Sequence, residues 1–152
     1  MKILVATDGS RGSTAALNFA ARLAARDSGS QLIVLTVDPA NGAAALPGNG
    51  TGKRGSDPRV RHAQKVLEGA AREMGQHSAS ARFQVVAARR RDDVPEVISR
   101  EADRVKADLV VVGSEGRDTL NEWVVGGVAL RLIYVARRPV TVVRPPRRRK
   151  AS

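Results

Sequence analysis

Short apolar runs at Ile3–Ala6, Leu32–Val37, Phe83–Ala87 and Leu109–Val112, with a further one at Val140–Val143, limit most what this chain can fold into. They are rich in β-branched residues and continuous rather than alternating. A half-exposed strand would show a polar residue at every second position, so runs of this kind point to parallel strands covered on both faces. Parallel neighbours need a long crossover between them, and the intervals supply it. The first helix is expected over Ser13–Arg26, with Leu17, Ala20, Leu23 and Ala24 on one face and Gly29 as terminator. The second is capped by Asp57, has Pro58 in its first turn, repeats Val60, Ala63, Val66, Leu67, Ala70 and Met74, and stops at Gly75.

A third helix begins at Asp93, with Glu96 placed as in a capping box, Pro95 in the first turn, and a stripe of Val94, Val97, Ile98, Ala102 and Val105. A fourth runs from about Gly126 to Arg137. Arg137 and Arg138 suit its negative end, and Pro139 forbids continuation. The order β-α-β-α-β-α-β-α-β predicts an α/β fold, an open five-stranded parallel sheet with helices on both faces.

The 152 residues suffice for one domain with a real core. That domain is expected over 1–144, with 145–152 as a basic tail. Aromatics are 3% of the chain, so the core must pack small side chains closely. The absence of cysteine excludes disulfides, thiolate metal sites and a thiol nucleophile, and His62 and His77 are too few for a multi-histidine centre. The apolar run that ends before Asp8 is too short for a signal peptide or membrane span, which makes the cytoplasm the expected location.

The net charge of +11 is partly spread along helices (Arg22, Arg26, Arg59, Arg61, Arg72) and partly gathered in Arg89-Arg90-Arg91 and Arg147-Arg148-Arg149-Lys150. An Arg- and Ala-rich composition accounts for this more simply than a nucleic-acid footprint does. The 147–150 run reads as a solvated tail whose attraction for phosphate is non-specific and salt-sensitive. Residues 39–56 (PANGAAALPGNGTGKRGS) show no structural period. They form an expected loop leaving the carboxyl end of the second strand, read as a tolerated insertion before a lid. The Gly48–Arg54 stretch is not a P-loop: Pro47 stands where its first glycine belongs and Arg54 where its hydroxyl belongs. Ser10, Ser13, His62 and His77 have no triad spacing, and Trp123 and Tyr134 read as packing residues.

Open parallel sheets bind ligands beyond the carboxyl ends of their strands, where strand order reverses. Two strand ends here carry unusual residues. The first continues into Thr7-Asp8-Gly9-Ser10. The fourth continues into Gly113-Ser114-Glu115-Gly116, then nine residues, then Gly126-Gly127-Val128. Glycines at 113 and 116 allow close backbone approach. Those at 126 and 127 open a helix whose free N–H groups favour an anion. Together they describe a phosphate cradle made of main chain.

The Gly-x2-Gly-x9-Gly spacing resembles the nucleotide-binding signature of the universal stress protein family. So do the opening ILVATDGSRGSTAALNFAARLA, the segments QLIVLTVDP and ADLVVVGSEGR, and the closing GGVALRLIYVARRPVTVVR, which together cover nearly the whole chain. The resemblance implies a Rossmann-like sheet of order 3-2-1-4-5, with the first and fourth strands adjacent at the switch point. It implies that Asp8 accepts a hydrogen bond from the adenine or ribose end and that Val37 reads the adenine edge through its backbone. Gly113, Gly116, Gly126 and the amides of Gly127 and Val128 would surround ribose and phosphates. ATP, accompanied by Mg2+, is the implied ligand, and a homodimer through the last strand the implied assembly.

The chain departs from that pattern twice. Gly127 stands where the family motif carries Ser or Thr, whose hydroxyl meets a phosphate oxygen. A hydrogen bond to a charged group contributes roughly 1.5–3 kcal/mol, so its loss lowers affinity about tenfold to a hundredfold. Asp92-Asp93-Val94 replaces the Gly-x-Pro of many members. No residue is an evident base for activating water, so binding with at most weak ATPase activity is expected, and no catalytic or metal-binding residue is assigned. Behind this reading stand a non-nucleotide dimeric interaction module of the same fold and, third, nucleic-acid contact through the basic segments.

Overall fold

The computed structural model describes residues 1–38, 58–75, 80–89, 91–115 and 125–146. Along the chain lie β1 (Lys2–Ala6), α1 (Arg11–Ala24), β2 (Gln31–Asp38), α2 (Pro58–Met74), β3 (Ala81–Ala87), α3 (Val94–Arg104), β4 (Leu109–Gly113), α4 (Gly127–Val135) and β5 (Val140–Val143). The strands form one sheet, all pairs parallel as their apolar runs lead one to expect, in the order β3-β2-β1-β4-β5 that the family resemblance implies.

Period-two alternation divides the core into two layers. Ile3 and Val5 of β1 face a cluster with Ala16, Leu17 and Ala20 of α1, Ala70 and Met74 of α2, and Val111 of β4. Leu4 points the other way, in register with Ile33 and Val110, and joins Ile98 and Ala102 of α3 and Ala129 and Leu132 of α4. Ala16, Ala20 and Ala102 are fully buried. Alanine at the contact face lets helix and sheet approach closely, which is how a core with few aromatics reaches native density.

Side-chain caps set the helix ends, and several differ from expectation. Helix α1 starts at Arg11, two residues before the predicted Ser13, because the Ser10 hydroxyl accepts from the Ser13 amide at 3.2 Å. It ends at Ala24, so Gly29 does not terminate it. Gly29 instead sits in a turn held by Asp27, whose Oδ1 accepts its amide at 3.1 Å and whose Oδ2 accepts the Ser30 hydroxyl at 3.0 Å. Gly75, in contrast, has the left-handed φ of +54° expected beyond α2. Asp93 caps α3 by accepting from the Glu96 amide at 3.1 Å, but the Glu96 carboxylate reaches Arg131 of α4 rather than completing a capping box.

Helix α4 stops at Val135, two residues before the predicted Arg137, with Ala136 already extended at ψ 135°. The hydroxyl of Ser99 donates to the freed Val135 carbonyl at 3.2 Å. Arg138 leaves its own helix and pairs with Asp103 of α3 at 2.9 Å. Tyr134 is not a packing residue in this chain: it is 81% exposed. The predicted loop 39–56, the Asp57 cap, His77, Trp123 and the 147–150 run lie outside the described residues, and so does the side chain of Val60. No helix of the described residues is long and apolar enough to cross a membrane.

Candidate functional site

The switch point lies between β1 and β4, where the chain leaves β1 for one face of the sheet and β4 for the other. After β1, the Asp8 carboxylate accepts the Ser10 amide at 2.9 Å, and Gly9 takes a φ of +78° that favours glycine. Below this turn runs a chain of hydroxyls. Thr36 of β2 donates to the Thr7 carbonyl at 2.6 Å, and the Thr7 and Ser13 hydroxyls are 3.1 Å apart. Ser13 donates in turn to the Ser10 carbonyl at 3.0 Å. Thr7, Ser13 and Thr36 are all buried, and each hydroxyl is satisfied, so this network holds the turn rigidly against the sheet.

After β4 the backbone is pinned on both sides. The Ser114 amide donates to Val143 of β5 at 2.8 Å, and the Ser114 carbonyl accepts from Gly126 at 2.7 Å. That second bond brings the start of α4 back to the end of β4. The first bond internal to α4 is Leu130 N–H to the Gly126 carbonyl, at 3.0 Å. The amides of Gly127, Val128 and Ala129 precede it, and among the described residues no side chain caps this helix. Gly127 and Val128 are both exposed. A Cβ on Gly127 would meet none of the described residues within 4 Å.

Gly113 has a second duty that its sequence context does not show. A Cβ there would lie 2.3 Å from the Gly12 carbonyl carbon and 2.7 Å from the Ser13 nitrogen. Gly12 in turn has the Glu115 oxygen 2.2 Å from its own Cβ position. Two glycines therefore let the N-terminus of α1 lie directly on the end of β4. Ser10 adds a 3.4 Å hydrogen bond to the Glu115 carbonyl.

Of the predicted site residues, Asp8, Gly113, Gly126, Gly127 and Val128 gather around this one edge. Val37 lies one strand away near the end of β2, beside the Thr36 that supports Thr7. Gly116 falls outside the described residues. Gly126 contributes its amide to Ser114, so of the predicted amides those of Gly127 and Val128 remain for a ligand. Sequence reasoning missed Gly12, Thr7 and Thr36. Small hydroxyl residues flanking Asp8-Gly9-Ser10 were the available signal.

The Asp92-Asp93 departure is structural. The Asp92 carboxylate binds Arg100 at 2.8 Å and the Arg89 amide at 3.1 Å. The Arg100 guanidinium chiefly, with the Arg89 amide, holds it below the ordinary carboxylate range. Asp93 binds Arg131 of α4 at 2.7 Å. Together these contacts tie the start of α3 to α4 and brace the helix whose N-terminus faces the crevice.

Comparison with known proteins agrees with this geometry. A universal stress protein from Archaeoglobus fulgidus in complex with dAMP is 26% identical, with a TM-score of 0.65 over 93% of this chain and 96% of that one. A universal stress protein family member from Burkholderia pseudomallei is 28% identical, with a TM-score of 0.66 over 95% and 96%. A universal stress protein in complex with cAMP shares the fold at 22% identity, with a TM-score of 0.72 over 96% and 98%. No curated protein matches the chain. The family model described as "Universal stress protein family" matches residues 1–144, and with the 3-2-1-4-5 sheet and the glycine-lined switch point this places the chain in the universal stress protein family.

Proposed function

We propose that this chain binds an adenine nucleotide, ATP with its Mg2+, in the crevice between the ends of β1 and β4. The observation that carries the reading is the 2.7 Å bond from Gly126 to the Ser114 carbonyl, which sets the uncapped N-terminus of α4 at the switch point. Free amides and the positive end of a helix dipole suit a phosphate. The dAMP complex of the Archaeoglobus fulgidus relative supports the same ligand class. Asp8 and the backbone of Val37 would then serve the adenine and ribose end, and the amides of Gly127 and Val128 the phosphates. Gly116 would give the backbone room to approach, and Gly113, whose side-chain space is taken by the start of α1, would hold the rim in place. Among the described residues no group of three or more potential metal ligands occurs, so Mg2+ would be carried chiefly by the triphosphate.

Binding rather than turnover is the proposed activity. Asp8 would stand at the adenine and ribose end of the nucleotide, the wrong end for activating water at the phosphates. A melting curve with and without Mg-ATP tests the reading. Ligand at a hundred times its dissociation constant should stabilise the fold by about 2.7 kcal/mol. Absence of any shift at millimolar Mg-ATP, with no nucleotide released from the purified, denatured protein, would refute it.

The assembly we propose is a homodimer through β5. Among the described residues this strand pairs only with β4, and all four of its residues are half-buried. Beside it, α4 exposes Val128, Leu130, Ile133 and Tyr134. The same apolar surface favours a second reading, a dimeric interaction module that binds no nucleotide. A dimer without an ATP-induced melting shift would select that reading.

A further inference from the structure

Strand β2 outlasts its neighbour β1. Their ladder runs from Lys2 opposite Gln31 to Ala6 opposite Leu35, and the Thr7 amide adds one more bond, to the Leu35 carbonyl at 2.8 Å. In a parallel ladder the main-chain groups of alternate residues point to the same side. Leu35 points to β1, while Asp38, whose carbonyl accepts the Ala88 amide at 2.9 Å, points to β3. Val37 therefore turns its N–H and C=O toward the β1 side, past the place where β1 has ended. The next rung would run from the Val37 amide to the Thr7 carbonyl. That carbonyl accepts the Thr36 hydroxyl instead, at 2.6 Å, and among the described residues no strand pairs with Val37 on that side.

Thr36 is buried on the face of β2 that turns Leu32 and Val34 into the core against α1. Valine has nearly the same shape, so what threonine adds at this position is one hydrogen bond. The two residues it joins are each the neighbour of a predicted nucleoside contact: Thr36 precedes Val37, and Thr7 precedes Asp8. The Thr7 hydroxyl accepts the Gly9 amide at 3.2 Å and Ser13 Oγ accepts the Asp8 amide at 3.4 Å, so the turn that carries Asp8 follows wherever Thr7 is held. Resting on the nucleotide-binding reading above, we propose that Thr36 is a positioning residue for the nucleoside end of the site. Its hydroxyl closes the β1–β2 ladder one rung early, keeps the Val37 main chain open to the base, and fixes the spacing between Val37 and Asp8. It acts through these two neighbours, and the phosphate end at α4 is held by other contacts.

The test compares the full chain with Thr36→Val, which removes the hydroxyl and keeps the shape, and with Thr36→Ser, which keeps the hydroxyl. Calorimetry with Mg-ATP, and competition by inorganic triphosphate, separates the two ends of the ligand. Thr36→Val should weaken ATP binding about tenfold and triphosphate binding by no more than about twofold. Thr36→Ser should bring ATP affinity back to within about threefold of the parent. A general loosening of the fold would weaken both ligands alike, and a packing defect would appear in Thr36→Ser as fully as in Thr36→Val. Either result overturns the inference, as does an ATP affinity unchanged in Thr36→Val, and each leaves the nucleotide site standing. If the parent chain binds no ATP, the site itself is refuted and the inference falls with it.

Discussion

Gly113 and Gly12 touch where no side chain fits: a Cβ on Gly113 would fall 2.3 Å from the Gly12 carbonyl carbon and 2.5 Å from its oxygen. The neighbouring atoms are backbone and cannot swing aside. Gly113→Ala must therefore push the N-terminus of α1 away from β4, at a cost of about 1–3 kcal/mol or more. Urea unfolding should show the lowered midpoint, and Gly12→Ala should behave likewise. A midpoint unchanged from the parent chain would mean that α1 and β4 are not in this contact.

Gly127 is the opposite case. Its Cβ position meets none of the described residues and its φ is not left-handed, so Gly127→Ser should leave the unfolding midpoint unaltered within about 0.5 kcal/mol. The added hydroxyl stands at the uncapped start of α4. ATP affinity by calorimetry should rise about tenfold. An unchanged affinity would place the phosphates elsewhere.

Lys106 has a φ of +55°, the only left-handed non-glycine residue among those described. It follows α3 in a Schellman arrangement, with Lys106 N–H to the Asp103 carbonyl at 3.1 Å and Ala107 N–H to Ala102 at 2.8 Å. Its own side chain has no part in those bonds. Lys106→Gly relieves the strain and should raise stability by about 0.5–1 kcal/mol, read from chemical denaturation.

The brace at Asp92 has a signed pH dependence. Arg100 chiefly, and then the Arg89 amide, lower the native pKa of this carboxyl. Its stabilising effect is therefore complete above the unfolded pKa of about 3.9 and is lost as pH falls through the lower native value. Asp92→Asn should be less stable than the parent near neutral pH, by a small margin because the pair is only partly buried. The two unfolding curves should converge in strong acid. A gap that persisted below pH 2 would assign the effect to something other than ionisation.

For the proposed dimer, Ile133 and Tyr134 are 53% and 81% exposed beside β5. Ile133→Glu with Tyr134→Ser should raise the dimer dissociation constant about tenfold or more by sedimentation, without lowering the helix content. A chain that is monomeric before substitution excludes the assembly outright.

The central strands β1, β2 and β4 were legible because burial on both faces leaves a run of apolar residues, whereas the strand order followed from the family resemblance and the edge strands β3 and β5 are only partly covered. Helix interiors were legible for a related reason: Val97, Ile98 and Ala102 repeat at the period that one buried face demands. What escaped was decided by partners distant in sequence. Val135 ends α4 with help from Ser99, and Arg138 is drawn to Asp103, each 35 or 36 residues away. Tyr134 was misread because α4 is apolar nearly all round, so no period singles out its buried side. The glycines around the crevice stood out at once, but the reason for Gly113 lies with Gly12, a residue whose importance no local pattern displays.

The two core layers share nothing but the sheet. Helices α1 and α2 pack on one face and α3 and α4 on the other, and each layer is its own contiguous cluster. The crevice is walled by the start of α1 from one layer and the start of α4 from the other. Amide protons in the two layers need not exchange with solvent at a common rate, because either layer can open while the other stays closed. A molecule gripped at that rim spans both, so its binding should slow exchange in α1 and α4 together.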